Sequence, residues 1–143
     1  MRGAHEKGSA RHVNNGVDRH AAERASRGDR YDGPRGVLLV HGFGDTPQTL
    51  RYLADNLHAH GYDVRVPLLP GHGRSVSSFD STPHTAWLDA VRAELLAMRA
   101  RVPWVALGGL SMGGALSAIV AAETPKECRS TMVFEPTGSR EAT

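Results

Sequence analysis

One cysteine, Cys128, stands among 143 residues. It excludes an intrachain disulfide, and no Cys-x-x-Cys or Cys/His spacing offers a metal site, so neither a metal nor a cofactor is expected. Aromatic residues make up only 6% of the chain, and none is spaced for stacking on nucleic-acid bases. No run approaches the roughly 18 apolar residues that a membrane span requires. The opening stretch, MRGAHEKGSARHVNNGVDRH, is charged but lacks the apolar core of a secretory signal. These absences lead to the expectation of a cytoplasmic protein with no membrane span. The net charge of +2 is too small to imply a polyanionic partner.

Large apolar side chains are almost missing from residues 1–34. A segment of that composition cannot bury enough surface to offset its ordering entropy, so it is expected to be a basic, disordered arm. Asp18, Glu23, Asp29 and Asp32 interrupt its positive charge. Binding of nucleic acid through it is therefore not expected.

From Arg35 onward the pattern changes. GVLLV, Gly36 to Val40, is a continuous apolar run, as in a strand buried on both faces. Thr46 is expected to cap a helix with Pro47 at its first position, and Leu50, Leu53, Ala54 and Leu57 recur at helical spacing before Gly61. YDVRVPLLP gives a second strand, and GHGRSVSSFDS reads as a loop. Thr82 and Pro83 repeat the helix start, with Trp87, Val91, Leu95 and Met98 as one apolar stripe. WVALG is a third strand, Met112 to Ala122 a third helix and STMVFEP a fourth strand. Strands alternating with helices predict an α/β fold: an open parallel sheet with flanking helices.

Gly109-Leu110-Ser111-Met112-Gly113 matches G-x-S-x-G, with a strand before it and a helix after. In that setting Ser111 projects from a sharp turn at a helix N-terminus, where the Met112 N–H can face developing negative charge. His41-Gly42-Phe43-Gly44 follows the first strand at the same end of the sheet. Its glycines let the loop turn the Phe43 N–H toward a reacting carbonyl, giving a two-donor oxyanion hole. The His41 ring is expected to brace this loop rather than to move protons. His72 is read as shaping its own glycine-containing loop, and neither it nor His84 as a base.

VLLVHGFGDTP, GYDVRVPLLPGHG and GLSMGGALS, in this order and spacing, resemble the first half of an α/β-hydrolase. The likeness is to bacterial carboxylesterases and monoacylglycerol-lipase-like enzymes, also labelled serine aminopeptidase-type hydrolases. It implies that Ser111 is the acyl-accepting nucleophile, with the Phe43 and Met112 amides as the oxyanion hole. His41, Gly42, Gly44, Gly109 and Gly113 would support the motifs, and the substrate would be a small-molecule carboxylic ester. It further implies a hydrolase half over residues 35–136 and a sheet ordered second, first, third, fourth strand, while the polar composition of residues 137–143 reads as a disordered tail.

In that family the triad runs Ser, then Asp or Glu, then His along the chain. After Ser111 there is no histidine and no aspartate, and the later acids are Glu123, Glu127, Glu135 and Glu141. The expectation is a truncated hydrolase, inactive as this chain, with unpaired outer strands open to self-association. The alternative is a non-catalytic binding or interaction module on the same scaffold.

Overall fold

The computed structural model describes residues 29–31 and 35–134. The expected arm over 1–28 and 32–34, Glu135, and the expected tail over 137–143 lie outside the described residues. Five strands form one sheet: β1 (Asp29–Tyr31), β2 (Arg35–Val40), β3 (Tyr62–Val66), β4 (Val105–Leu110) and β5 (Ser130–Phe134). Their order is β1-β3-β2-β4-β5. The four longer strands are mutually parallel and lie in the expected order, second, first, third, fourth.

β1 departs from expectation. It pairs antiparallel with β3, Asp29 opposite Val66 and Tyr31 opposite Val64. It lies inside the segment whose composition predicts disorder, and it covers the β3 edge expected to be open. Among the described residues β5 has no outer neighbour.

The helices are α1 (Arg51–Ala59), α2 (Val76–Asp80), α3 (His84–Arg99) and α4 (Met112–Glu123). β2 shows why its apolar run is unbroken. Val37 and Leu39 join Val64, Val66, Leu50 and Ala54 on the face covered by α1. Leu38 and Val40 join Trp87, Val91, Leu95 and Met98 of α3 and Val120 of α4 on the other. Successive strand residues point to opposite faces, so a strand covered twice must be apolar at every position. Each such fully buried side chain stabilises the fold by about 1.5–3 kcal/mol. The predicted stripe of α3 is thus the core contact of that helix.

β3 solves the same problem differently. Asp63 and Arg65 occupy the face opposite Val64 and Val66, and both are paired to the α3 side of the sheet. Asp63 accepts from Arg101 at 2.5 Å, and Arg65 donates to Glu94 at 2.5 and 3.1 Å.

Three helix starts differ in detail. Pro47–Leu50 is a 3-10 turn leading into α1, and the Thr46 side chain makes no capping bond. Asp45 instead ties the loop to that turn: its Oδ1 accepts the Thr46 N–H at 2.9 Å and the Thr49 hydroxyl. The loop expected over GHGRSVSSFDS contains α2, capped by Ser75 Oγ accepting from the Ser78 N–H at 3.2 Å. Pro83, rather than Thr82, stands at the N-cap of α3, while the Thr82 hydroxyl donates to the Ser78 carbonyl at 2.7 Å. Among the described residues no helix is long and apolar enough to cross a membrane.

Candidate active site

Ser111 lies between the end of β4 and the start of α4, with φ 52° and ψ −118°. Among the described residues it is the one non-glycine residue at positive φ. Such a conformation costs on the order of 1–3 kcal/mol and persists only where its surroundings dictate it. Here they do. The Ser111 N–H donates to the Phe134 carbonyl at 2.9 Å, and its own carbonyl accepts from Gly114 and Ala115 at 2.9 and 3.2 Å. The side chain is exposed, and its hydroxyl bonds to no described residue.

The turn can be this tight because two neighbours carry no side chain. A Cβ on Gly109 would lie 2.2 Å from the carbonyl carbon and oxygen of Gly113. One on Gly113 would lie 2.1 Å from the Val40 carbonyl oxygen and 2.4 Å from that of His41. The first turn of α4 therefore rests directly on the backbone where β2 ends, which brings the HGFG loop to Ser111. A Cβ built on Gly42 would stand 3.9 Å from the Ser111 Cβ. Gly44, at φ 68°, closes the loop in a conformation that suits glycine.

His41 fixes the direction of this loop. The ring is fully buried. Its Nε2 accepts the Leu69 N–H at 3.0 Å, and its Nδ1 lies 3.0 Å from the Gly42 carbonyl. A carbonyl only accepts, so Nδ1 carries the proton and Nε2 the lone pair. The Gly42 carbonyl also accepts the Asp45 N–H at 3.2 Å. In a planar trans peptide the carbonyl and the next N–H point in opposite directions. Two donors holding the Gly42 oxygen therefore aim the Phe43 N–H the other way. Among the described residues no acceptor is bonded to the Phe43 or Met112 N–H. The Phe43 ring is exposed and meets Phe79 edge-on, with centroids 4.7 Å apart.

Burial, the largest cause, lowers the His41 pKa from its ordinary 6.5; the nearby His72 acts in the same direction, and the bond to Gly42 and the charge of Asp45 oppose it. Below about pH 6.5 the unfolded chain then binds a proton that the folded chain does not. This contribution to stability is complete above that pH and is lost as the pH falls toward the lowered folded value. We expect urea midpoints to drop more between pH 7.5 and 5.5 for the wild type than for His41→Gln, with a limiting slope of about 1.4 kcal/mol per pH unit. Parallel losses in the two proteins would contradict this reading.

The other histidines and acids are placed as follows. His72 is buried, its Nδ1 3.2 Å from the Pro70 carbonyl. His58 and His60 end α1, which runs back from the strand C-termini, so they sit at the opposite edge of the sheet from Ser111. His84 opens α3 and is exposed. Glu123, at the far end of α4, is held by Arg92 at 2.7 and 2.9 Å, and that guanidinium lowers its pKa. Glu127 is half-buried beyond the same helix. None of these carboxylates is brought to Ser111. Sequence reading misses Asp45 and the Leu69 amide as supports of the HGFG loop. The Asp before Thr-Pro is the available signal for the first; the second depends on tertiary contact alone. Among the described residues no cluster of His, Cys, Asp or Glu could hold a metal ion.

Known proteins resemble this chain in sequence and fold. The model of the family described as "Serine aminopeptidase, S33" (Hydrolase_4) matches residues 34–139. A thermostable monoacylglycerol lipase from Bacillus sp. (strain H-257) is 38% identical over 97 residues, covering 68% of this chain and 39% of that protein. Lipase 3 from Moraxella sp. (strain TA144) is 35% identical over 103 residues, 71% of this chain and 32% of its own length. Among solved structures, one from a study of the metagenome-derived lipolytic enzymes LipS and LipT superposes with a TM-score of 0.74 at 27% identity, covering 83% of this chain and 54% of that one. The chain thus spans 39% and 32% of the length of these two curated relatives.

Proposed function

This chain belongs to the serine aminopeptidase, S33 family of lipase- and esterase-like α/β-hydrolases, and from that premise we propose that Ser111 is its acyl-accepting nucleophile. The reaction is hydrolysis of a carboxylic ester, with the Phe43 and Met112 N–H groups receiving the oxyanion and Gly109 and Gly113 admitting the tight turn. The observation that carries this reading is the strained, exposed Ser111 with the Gly42 loop packed against it. An exposed serine held at φ 52° by three backbone bonds has no structural use that a glycine would not serve better. A binding module would give no reason to retain that strain.

A serine hydroxyl attacks efficiently only when a base takes its proton. His41 has both ring nitrogens engaged, and no histidine follows Ser111. The proposal is therefore a nucleophile and oxyanion hole without the proton acceptor, inactive as these 143 residues and acting, when complete, on small-molecule esters in the cytoplasm. Hydrolysis of 4-nitrophenyl butyrate by the purified chain should equal that of Ser111→Ala. Turnover that disappears in Ser111→Ala would show that a base is present after all, with His84 the first to examine.

A further inference from the structure

β1 covers the β3 edge of the sheet, so among the described residues a single edge is left open, that of β5. One bond fixes the directions of its backbone groups. The Phe134 carbonyl accepts the Ser111 N–H at 2.9 Å and so points toward β4. The N–H and C=O of one strand residue point to the same side, and those of the next residue to the other. Met132 therefore also faces β4, while Thr131 and Val133 present their backbone groups outward. Open edges are commonly guarded by a charge or a proline. Ser130–Phe134, STMVF, has neither.

The helix beside this edge is equally unguarded. α4 buries Leu116, Ser117 and Val120, yet Ala115, Ala118, Ile119 and Ala122 recur at helical spacing on a side that is exposed. A surface helix normally carries polar residues there. Val133 is turned to the same face of the sheet, since a Cβ on Gly114 of α4 would lie 2.6 Å from its Cγ1. It is 52% exposed, and Ile119 is 45% exposed. None of these edge and helix residues is charged. That neutrality bears on the occupant. Two copies of one chain bring identical groups together, so a face meets itself well only where no like charges are opposed.

We propose that this chain forms a closed two-fold dimer in which β5 pairs antiparallel with β5 of a second copy, centred on Met132. In that register Thr131 stands opposite Val133 of the copy as a hydrogen-bonded pair, and every outward N–H and C=O of the two residues finds a partner. A slip of two residues would instead set one of them against a residue outside the strand. The pairing joins two five-stranded sheets and keeps both α4 helices on one face. α4 lies over β4 and β5. Its copy then comes to lie about two strand spacings away, roughly 10 Å, which is the distance at which helices pack. Each copy uses its one open edge, so association closes at two.

Sedimentation equilibrium of the reduced full chain, from about 1 to 200 μM, reads the assembly directly. The contact is small, so a monomer–dimer equilibrium in the micromolar range is expected. Ile119→Glu, a change at an exposed position, should weaken it at least about tenfold. Tyr52→Glu, on exposed α1 surface across the sheet, should leave it unchanged. The register has its own test. Met132→Cys in a Cys128→Ser background sets two thiols opposite each other, with Cα atoms about 4.5 Å apart, within the range of a disulfide. Mild oxidation should link that variant at least about tenfold faster than Thr131→Cys in the same background, whose thiols lie on opposite sides of the axis. A monomer at all these concentrations, growth past the dimer, unchanged association in Ile119→Glu, or equal linking of the two cysteine variants would each overturn the pairing. None of those results would touch the nucleophile reading, which acylation tests separately.

Discussion

Gly113→Ala should lower the melting temperature by more than about 10 °C. The alanine brings two opposed effects. In a helix it gains up to about 1 kcal/mol over glycine in intrinsic propensity. Against this, its Cβ would sit 2.1 Å from the Val40 carbonyl oxygen, 2.4 Å from that of His41 and 2.6 Å from the Val40 carbonyl carbon. These are backbone atoms of the central strand and of the loop after it, so no side chain can swing aside. Overpacking of a close contact costs about 1–3 kcal/mol and sometimes more, and here it falls at the upper end. The clash wins. For a folded unit of about 100 residues, each kcal/mol moves the midpoint by about 4–8 °C. Gly108→Ala is the control. Its Cβ would meet the Phe134 ring, a Leu39 methyl and the Met132 Cβ at 3.3, 3.4 and 3.6 Å, contacts that side chains can relieve. It should melt within a few degrees of wild type. A Gly113→Ala protein as stable as Gly108→Ala would mean that α4 and β2 are not seated as closely as described.

The same contacts explain which parts of the molecule are legible in the sequence. GVLLV is readable because burial on two faces leaves no place for a polar residue, and the α3 stripe because Trp87, Val91, Leu95 and Met98 have one face to bury. G-x-S-x-G is readable because sterics demand its glycines, and His41 as a brace because the motif uses the backbone beside it. β1 is not. Asp29, Arg30 and Tyr31 carry no apolar alternation, and their pairing with β3 is a matter of backbone bonds. α2 is hidden by its glycine- and serine-rich surroundings, although Ser75 is a normal capping residue. Asp63 and Arg65 make β3 look half exposed. Their partners, Arg101 and Glu94, lie 38 and 29 residues away, a separation that no local pattern reports. The sequence after Ser111 offers no histidine as proton acceptor, and the described residues bring no histidine or carboxylate to its hydroxyl.

Ser111→Cys isolates what this site has from what it lacks. A thiol needs a base far less than a hydroxyl does, because some thiolate is present at neutral pH and it is intrinsically a strong nucleophile. At the N-terminus of α4 its thiolate form is further favoured. If the turn and the two amides are arranged for acyl transfer, this one substitution should bypass the missing proton acceptor for the first half of the reaction. Deacylation should remain slow, since the attacking water would still need a base. The product is then a stable thioester rather than turnover.

The decisive measurement is made on Ser111→Cys in a Cys128→Ser background, so that position 111 carries the one thiol. The protein is mixed with 4-nitrophenyl butyrate, and released nitrophenolate and intact mass are followed together. The account predicts a single burst and one butyryl group per chain, carried on the introduced thiol. The rate should exceed that of a free thiol at the same pH by on the order of 10²–10³, the contribution of one oxyanion donor. Acylation no faster than that of a free thiol, or none, would contradict the claim that Ser111 stands in a site built to attack an ester.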